Sequence, residues 1–120
     1  MKILGIGVDL VNNRRIKLAS KNKRFIKRIF TKNEINFSKS NFNITNYFAK
    51  RFAAKEAFSK AIGSGFSKNL NFKDVEVLND KNGKPYYLIS KKISNIIYKK
   101  FKIKKFNLFL SISDEKDYSI

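Results

Sequence analysis

The spacing of apolar and polar residues changes along this chain, and the changes divide it into elements. Ile3 to Val11 is apolar apart from Asp9 and reads as a short buried strand. Asn12 can start a helix that Arg14 to Lys21 continue. In Arg24-Phe25-Ile26-Lys27-Arg28-Ile29-Phe30 the apolar residues share one face and the bases the other, which predicts an amphipathic turn or two. Thr31-Lys32-Asn33-Glu34 has capping-box spacing and predicts a new helix start. Ser40 to Asn43 reads as a loop. A long helix then runs from Ile44 or Thr45 to Ile62 and stops at Gly63. Phe72 to Leu78 alternates as a strand does, Asp80-Lys81-Asn82-Gly83-Lys84-Pro85 forms a hairpin turn, and Tyr86 to Ile89 is the return strand. Ser90 to Phe101 reads as a helix with Ile93, Ile96 and Ile97 inward, and Phe106 to Ser113 alternates again as a strand. Helices between strands, with a hairpin, give an α+β class.

The long helix carries one acid, Glu56. At 3.6 residues per turn it shares a face with Ala49, Phe52, Ala53 and Lys60, while Lys50, Arg51 and Lys55 project elsewhere. A carboxylate among small apolar side chains is costly without a compensating cation. Lys60, one turn on, is one such cation and a metal ion is another. As a plain surface pair Glu56 and Lys60 would be worth only about 0.3–0.5 kcal/mol. The apolar neighbours point instead to a purposeful carboxylate.

With 120 residues and one proline, a single domain over 1–120 is expected. The apolar runs are too short to span a bilayer, and the N-terminus enters a strand-like run with no signal peptide, so the cytoplasm is the expected location. The chain has no Cys and no His, which excludes disulfides, thiolate or imidazole metal ligands, cysteine nucleophiles and a Ser-His-Asp triad. A metal here must be held by oxygen, which favours Mg²⁺, Mn²⁺ or Ca²⁺.

The net charge of +18 suits a polyanionic partner. Codon usage explains it equally well: Lys, Asn, Ile and Phe, all encoded by AT-rich codons, dominate the sequence. Four of the five arginines, Arg14, Arg15, Arg24 and Arg28, lie in the first 28 residues with Lys21 between them, as either a solvated face or a docking surface for an acidic partner. Asp9, at the end of its apolar run, is either a turn residue or a metal ligand. Gly5 and Gly7 before it make a poor dinucleotide fingerprint, since Leu10 stands where the third glycine belongs. Gly63-Ser64-Gly65 is either a helix cap or a place where backbone approaches a phosphate, with Lys68 nearby.

Three blocks together resemble the bacterial holo-acyl-carrier-protein synthases, the small 4′-phosphopantetheinyl transferases. These are Gly5-Ile6-Gly7-Val8-Asp9-Leu10-Val11 with Arg15-Ile16, then Arg51-Phe52-Ala53-Ala54-Lys55-Glu56-Ala57-Phe58-Ser59-Lys60-Ala61, then Gly63-Ser64-Gly65. The Asn82-Gly83-Lys84-Pro85 hairpin agrees too, and the likeness covers nearly the whole chain. The resemblance implies a long central helix packed on a mainly antiparallel sheet. It implies Mg²⁺-dependent transfer of phosphopantetheine from coenzyme A to a serine of apo-acyl carrier protein, in support of fatty acid biosynthesis. Adenosine 3′,5′-bisphosphate is the other product.

By the same resemblance, Asp9 and Glu56 are the Mg²⁺ ligands and Lys60 contacts the phosphates. Gly63, Ser64, Gly65, Lys84 and Pro85 flank the coenzyme, and Arg15, Arg24 and Arg28 meet the acidic helix of the carrier protein. Family members are trimers with the site between subunits. Glu56 is also expected to take the serine proton, directly or through a water. Two departures stand out. Phe109-Leu110-Ser111 occupies the place of a His-Val-Ser (or Thr) run, and the final apolar strand of the family, which helps form the trimer, is expected to be missing or cut short after Tyr118-Ser119-Ile120. The competing expectation from another class is a basic nucleic-acid-binding module, in which Asp9 and Glu56 hardly matter.

Overall fold

The computed structural model describes residues 1–67 and 69–120, so Lys68 lies outside the described residues. Its elements in chain order are β1 (Val11–Asn12), α1 (Asn13–Ala19), α2 (Lys23–Ile29), α3 (Lys32–Ser38), α4 (Ile44–Ile62), a 3₁₀ turn at Phe72–Asp74, β2 (Glu76–Asn79), β3 (Pro85–Leu88), α5 (Lys91–Phe101) and β4 (Tyr118–Ser119). Side chains at the helix starts explain several boundaries. Asn12, Asn22, Asn43 and Ser90 each accept from a backbone amide of the first turn, and Thr31 with Glu34 forms a reciprocal capping box. Gly63 ends α4 in the left-handed region at φ +72°, a conformation open to glycine at little cost.

Two short antiparallel sheets frame α4, which agrees with the α+β class. β2 pairs with β3 across the hairpin, Val77 opposite Tyr87. β1 pairs with β4, Val11 opposite Ser119, so the entry to α1 meets the residues around 118–119. Buried Asn13 fastens that junction: its amide donates to the carbonyls of Glu115 (2.9 Å) and Lys116 (3.1 Å), and it accepts from Ser119 Oγ at 2.7 Å.

Three predicted strands differ from the structure. Of Ile3 to Val11 only Val11 enters a ladder. Phe72 to Leu78 starts as a 3₁₀ turn, because Asp74 accepts the Asn71 amide at 2.8 Å and winds the chain there, and the strand begins at Glu76. Phe106 to Ser113 forms no named strand, yet its alternation survives in burial. Phe106, Leu108, Leu110 and Ile112 are half-buried, and the residues between them are exposed. Period-two patterning reports which side chains face the core, whereas a strand also needs a backbone partner.

α4 serves two cores. Its N-terminal half places Tyr47, Phe48, Ala49 and Ala53 against Val11, Ile16, Ile29 and Phe30. Its C-terminal half places Phe58 and Ile62 against Leu70, Val75, Ile93 and Ile97. Between the cores sits a pair of charges the sequence did not reveal. Lys55 and Glu34 are both fully buried, with Nζ 2.8 Å from Oε1. The ammonium spends its other donors on the carbonyls of Phe72 (2.9 Å) and Val75 (2.7 Å). Glu34 also accepts from the amides of Thr31 (2.8 Å) and Val77 (2.9 Å). Arg51, one turn earlier, is buried too, with its guanidinium 3.9 Å above the Tyr47 ring and a donor on the Asn79 side chain. Burial pulls the Lys55 ammonium below the usual lysine range, and the Glu34 charge opposes that pull. Replacing Lys55 by Met leaves Glu34 buried without its cation and is expected to lower the unfolding free energy by about 3–5 kcal/mol. A urea titration measures it, and a loss below about 1 kcal/mol would show that the pair does not hold the fold.

Candidate active site

The N-terminal segment reaches α4 through its two glycines. A Cβ on Gly5 would lie 1.9 Å from the Ala61 carbonyl oxygen, and one on Gly7 1.9 Å from that of Ala57. Backbone therefore rests directly on backbone, with Ala57 and Ala61 supplying the low face of the helix. This gives Gly5 and Gly7 a packing role in place of a phosphate-binding fingerprint. It also fixes where the next residues go: Val8 and Asp9 arrive over Lys60.

Lys60 Nζ donates to the Val8 carbonyl at 3.0 Å and to Asp9 Oδ1 at 3.0 Å. The pairing of Lys60 with Glu56 that helical spacing allows is not formed; the ammonium crosses to the N-terminal segment instead, where two oxygens are within reach. Glu56 is half-buried and has neither ion pair nor hydrogen bond to its side chain among the described residues. Burial raises its carboxyl above the usual glutamate range, the Asp9 charge raises it further, and Lys60 draws it back. The Asp9 charge is thus felt at Glu56, and the Lys60 ammonium reaches Asp9 from the solvent side.

That donor set suits a hard divalent cation. The Lys60 ammonium bonds the Val8 carbonyl and the Asp9 carboxylate, and the charges of both Asp9 and Lys60 are felt at Glu56. Among the described residues no group of three or more carboxylates joins them. A small ion held by only two side chains keeps most of its shell for solvent or for an anionic substrate, as Mg²⁺ does beside phosphates.

The remaining candidates are more dispersed. Gly63, Ser64 and Gly65 form an exposed turn after α4, with Gly65 also left-handed at φ +60°. Lys84 is exposed at the hairpin, its amide bonded to Asp80 at 2.9 Å, and Pro85 opens β3. No hydrogen bond or ion pair joins these residues to Asp9, Glu56 or Lys60 among those described. Arg15 is exposed on α1, and Arg24 and Arg28 on α2. The last two line an open groove of about 520 Å³ with Leu18, Asn22 and Phe25. None of the three is in an ion pair among the described residues.

A sequence model of the 4′-phosphopantetheinyl transferase superfamily matches residues 5–119. The chain belongs to that superfamily. Similarity to individual superfamily members is equally extensive. The holo-[acyl-carrier-protein] synthase of Pelagibacter ubique is 60% identical over 120 residues, covering 100% of this chain and 94% of the relative. Among solved transferases, the holo-[acyl-carrier-protein] synthase of Neisseria meningitidis superposes with a TM-score of 0.86 at 36% identity, covering 98% of this chain and 94% of that one. The Bacillus anthracis synthase, solved in complex with CoA (3′,5′-ADP), gives a TM-score of 0.78 at 38% identity over 98% of this chain and 90% of its own.

The electrostatics of Glu56 can be tested without a substrate. Because the folded carboxyl of Glu56 is raised, its contribution to stability is fully present below the ordinary glutamate range and is lost as pH rises through the raised value. Gln does not ionise and keeps that contribution. Glu56→Gln is therefore expected to melt above the parent protein at neutral pH, with the gap closing as pH falls below the ordinary glutamate range. Parallel melting curves from pH 3 to 8 with no gap would show that the carboxylate is not strained.

Proposed function

We propose that this chain transfers 4′-phosphopantetheine from coenzyme A to a serine of apo-acyl carrier protein, giving the holo-carrier and adenosine 3′,5′-bisphosphate. One observation carries the reading: a glycine-made contact brings Asp9 onto Lys60 of α4, where the Asp9 charge is felt by Glu56, the only acid of that helix. Superfamily membership supplies the reaction class, and the CoA complex of the Bacillus anthracis relative supports the donor.

In the reaction the serine oxygen bonds to the phosphorus that carries pantetheine. The bond from that phosphorus to the bridging oxygen of the pyrophosphate breaks, and the bisphosphate leaves with that oxygen. Such a displacement needs charge neutralisation, alignment and removal of a proton. Asp9 and Glu56 are the residues that would hold Mg²⁺, which when bound offsets the charge of the pyrophosphate. Glu56 takes the serine proton, directly or through a water. Lys60 binds the phosphates. Gly63, Ser64, Gly65, Lys84 and Pro85 border the coenzyme, and the exposed arginines Arg15, Arg24 and Arg28 receive the acidic face of the carrier.

A homotrimer with the site between subunits completes the reading. Its support is the row of exposed apolar side chains at Ile3, Ile6, Val8, Leu10 and Phe109, on segments without a ladder of their own. Among the described residues no helix is long and apolar enough to cross a membrane; the reading places the reaction in the cytoplasm, in fatty acid biosynthesis.

Intact-protein mass spectrometry of apo-acyl carrier protein tests the proposal. Incubation with the chain, coenzyme A and Mg²⁺ is expected to add one phosphopantetheine, and EDTA to prevent it. Asp9→Ala and Glu56→Ala should each slow the gain at least about a hundredfold with the fold intact; no gain from the parent chain, or undiminished gain from both variants, sinks the reading. Arg24→Glu is expected to raise the KM for carrier protein roughly fivefold, the scale of one exposed ion pair, and to leave that for coenzyme A in place. Equal effects on both would remove Arg24 from the docking face.

A further inference from the structure

Lys60 is hydrogen-bonded to the carboxylate that the metal would need. Its ammonium sits 3.0 Å from Asp9 Oδ1 and 3.0 Å from the Val8 carbonyl, although Glu56 is one turn away on its own helix. Asp9 is well shielded, with a side chain only 15% exposed, while Lys60 reaches in from solvent with 53% of its side chain exposed. A shielded carboxylate holds its counter-ion harder than a surface one does, because water competes less.

We infer that Lys60 is the resident counter-cation of the metal-free site, and that it leaves Asp9 when a divalent cation enters. This rests on the proposed function and extends it from ligands to linkage. Two carboxylates with one ammonium carry a single net negative charge, which attracts a cation. A divalent ion added without movement would leave the cluster positive, with two cations sharing the Asp9 carboxylate. Moving the ammonium off Asp9 ends that sharing. It also places a free lysine beside the ion, where an anionic phosphate group is the partner of fitting charge.

The exchange couples the two ligands. A cation on Asp9 frees Lys60 for phosphate, and phosphate on Lys60 frees Asp9 for the cation. Each therefore tightens the other by the same factor. Lys60 thus lowers the affinity of the empty protein for metal and raises that of the coenzyme-bound protein. The helix geometry makes the movement short: Lys60 has a long flexible stem, half exposed, and breaks two hydrogen bonds without disturbing the buried core.

The test reads metal binding directly, with Mn²⁺ as the probe in calorimetry or electron paramagnetic resonance. Lys60→Met, or Lys60→Gln as a second neutral variant, is expected to tighten Mn²⁺ about tenfold in coenzyme-free protein, the scale of a lost charge-assisted hydrogen bond. Saturating coenzyme A is expected to tighten Mn²⁺ further in the parent protein than in either variant. Mn²⁺ affinity that is unchanged or weaker in both variants overturns the exchange. If Asp9→Asn still abolishes binding in that case, the proposed function stands without it. Failure of the parent protein to bind Mn²⁺, with or without coenzyme A, overturns the carboxylate site and the exchange together.

Discussion

Lys55 and Glu34 have no access to water, so each hydrogen-bonding position on them must be filled from within the chain. The partners come from the cap of α3, the 3₁₀ turn, and the start of β2. A single ion pair thereby ties α4 to three other parts of the fold. Two buried ions do not make a protein stable by themselves, since desolvation offsets most of their attraction. What they impose is orientation. A helix whose lysine must meet those three oxygens has one rotation about its axis, and that rotation sends the next residue, Glu56, towards the N-terminal segment.

The same logic of forced proximity operates on the other side of α4. Gly5 and Gly7 have no side chains, and the helix beneath them offers Ala57 and Ala61. The segment descends until its backbone meets the helix backbone, and Asp9 is delivered to Lys60. Neither contact lies at the chemistry itself. One sets the roll of the helix and the other sets the height of the strand-like segment above it, and two carboxylates that repel each other are held together by the sum.

Much of this was legible in the sequence. Helix limits followed from side-chain caps and from Gly63, since these are local interactions between residues three or four apart. Glu56 stood out because it was the only acid on a helix face with small apolar neighbours. Asp9 was legible only as a candidate until the three blocks were read together as a family resemblance. What escaped was non-local. The Thr31–Glu34 capping box was visible, yet nothing in its spacing said that Lys55 would close on the same glutamate from a different helix. Helical spacing offers Lys60 as one cation for Glu56 and a metal as another, but it cannot show that an acceptor from outside the helix takes the ammonium. The alternation of Phe106 to Ser113 gave the correct inward residues and the wrong element, because a ladder depends on a partner strand that patterning does not supply.

The junction of β1 and β4 has a practical side. Asp9 stands two residues before β1, and β1 is held by the last residues of the chain: Ser119 is buried on Asn13, and Ile120 is bonded through both amide and carbonyl to Ser113. A purification handle fused after Ile120 must leave from a residue already engaged at both polar backbone groups, and tension there is passed along β4 to the neighbourhood of Asp9.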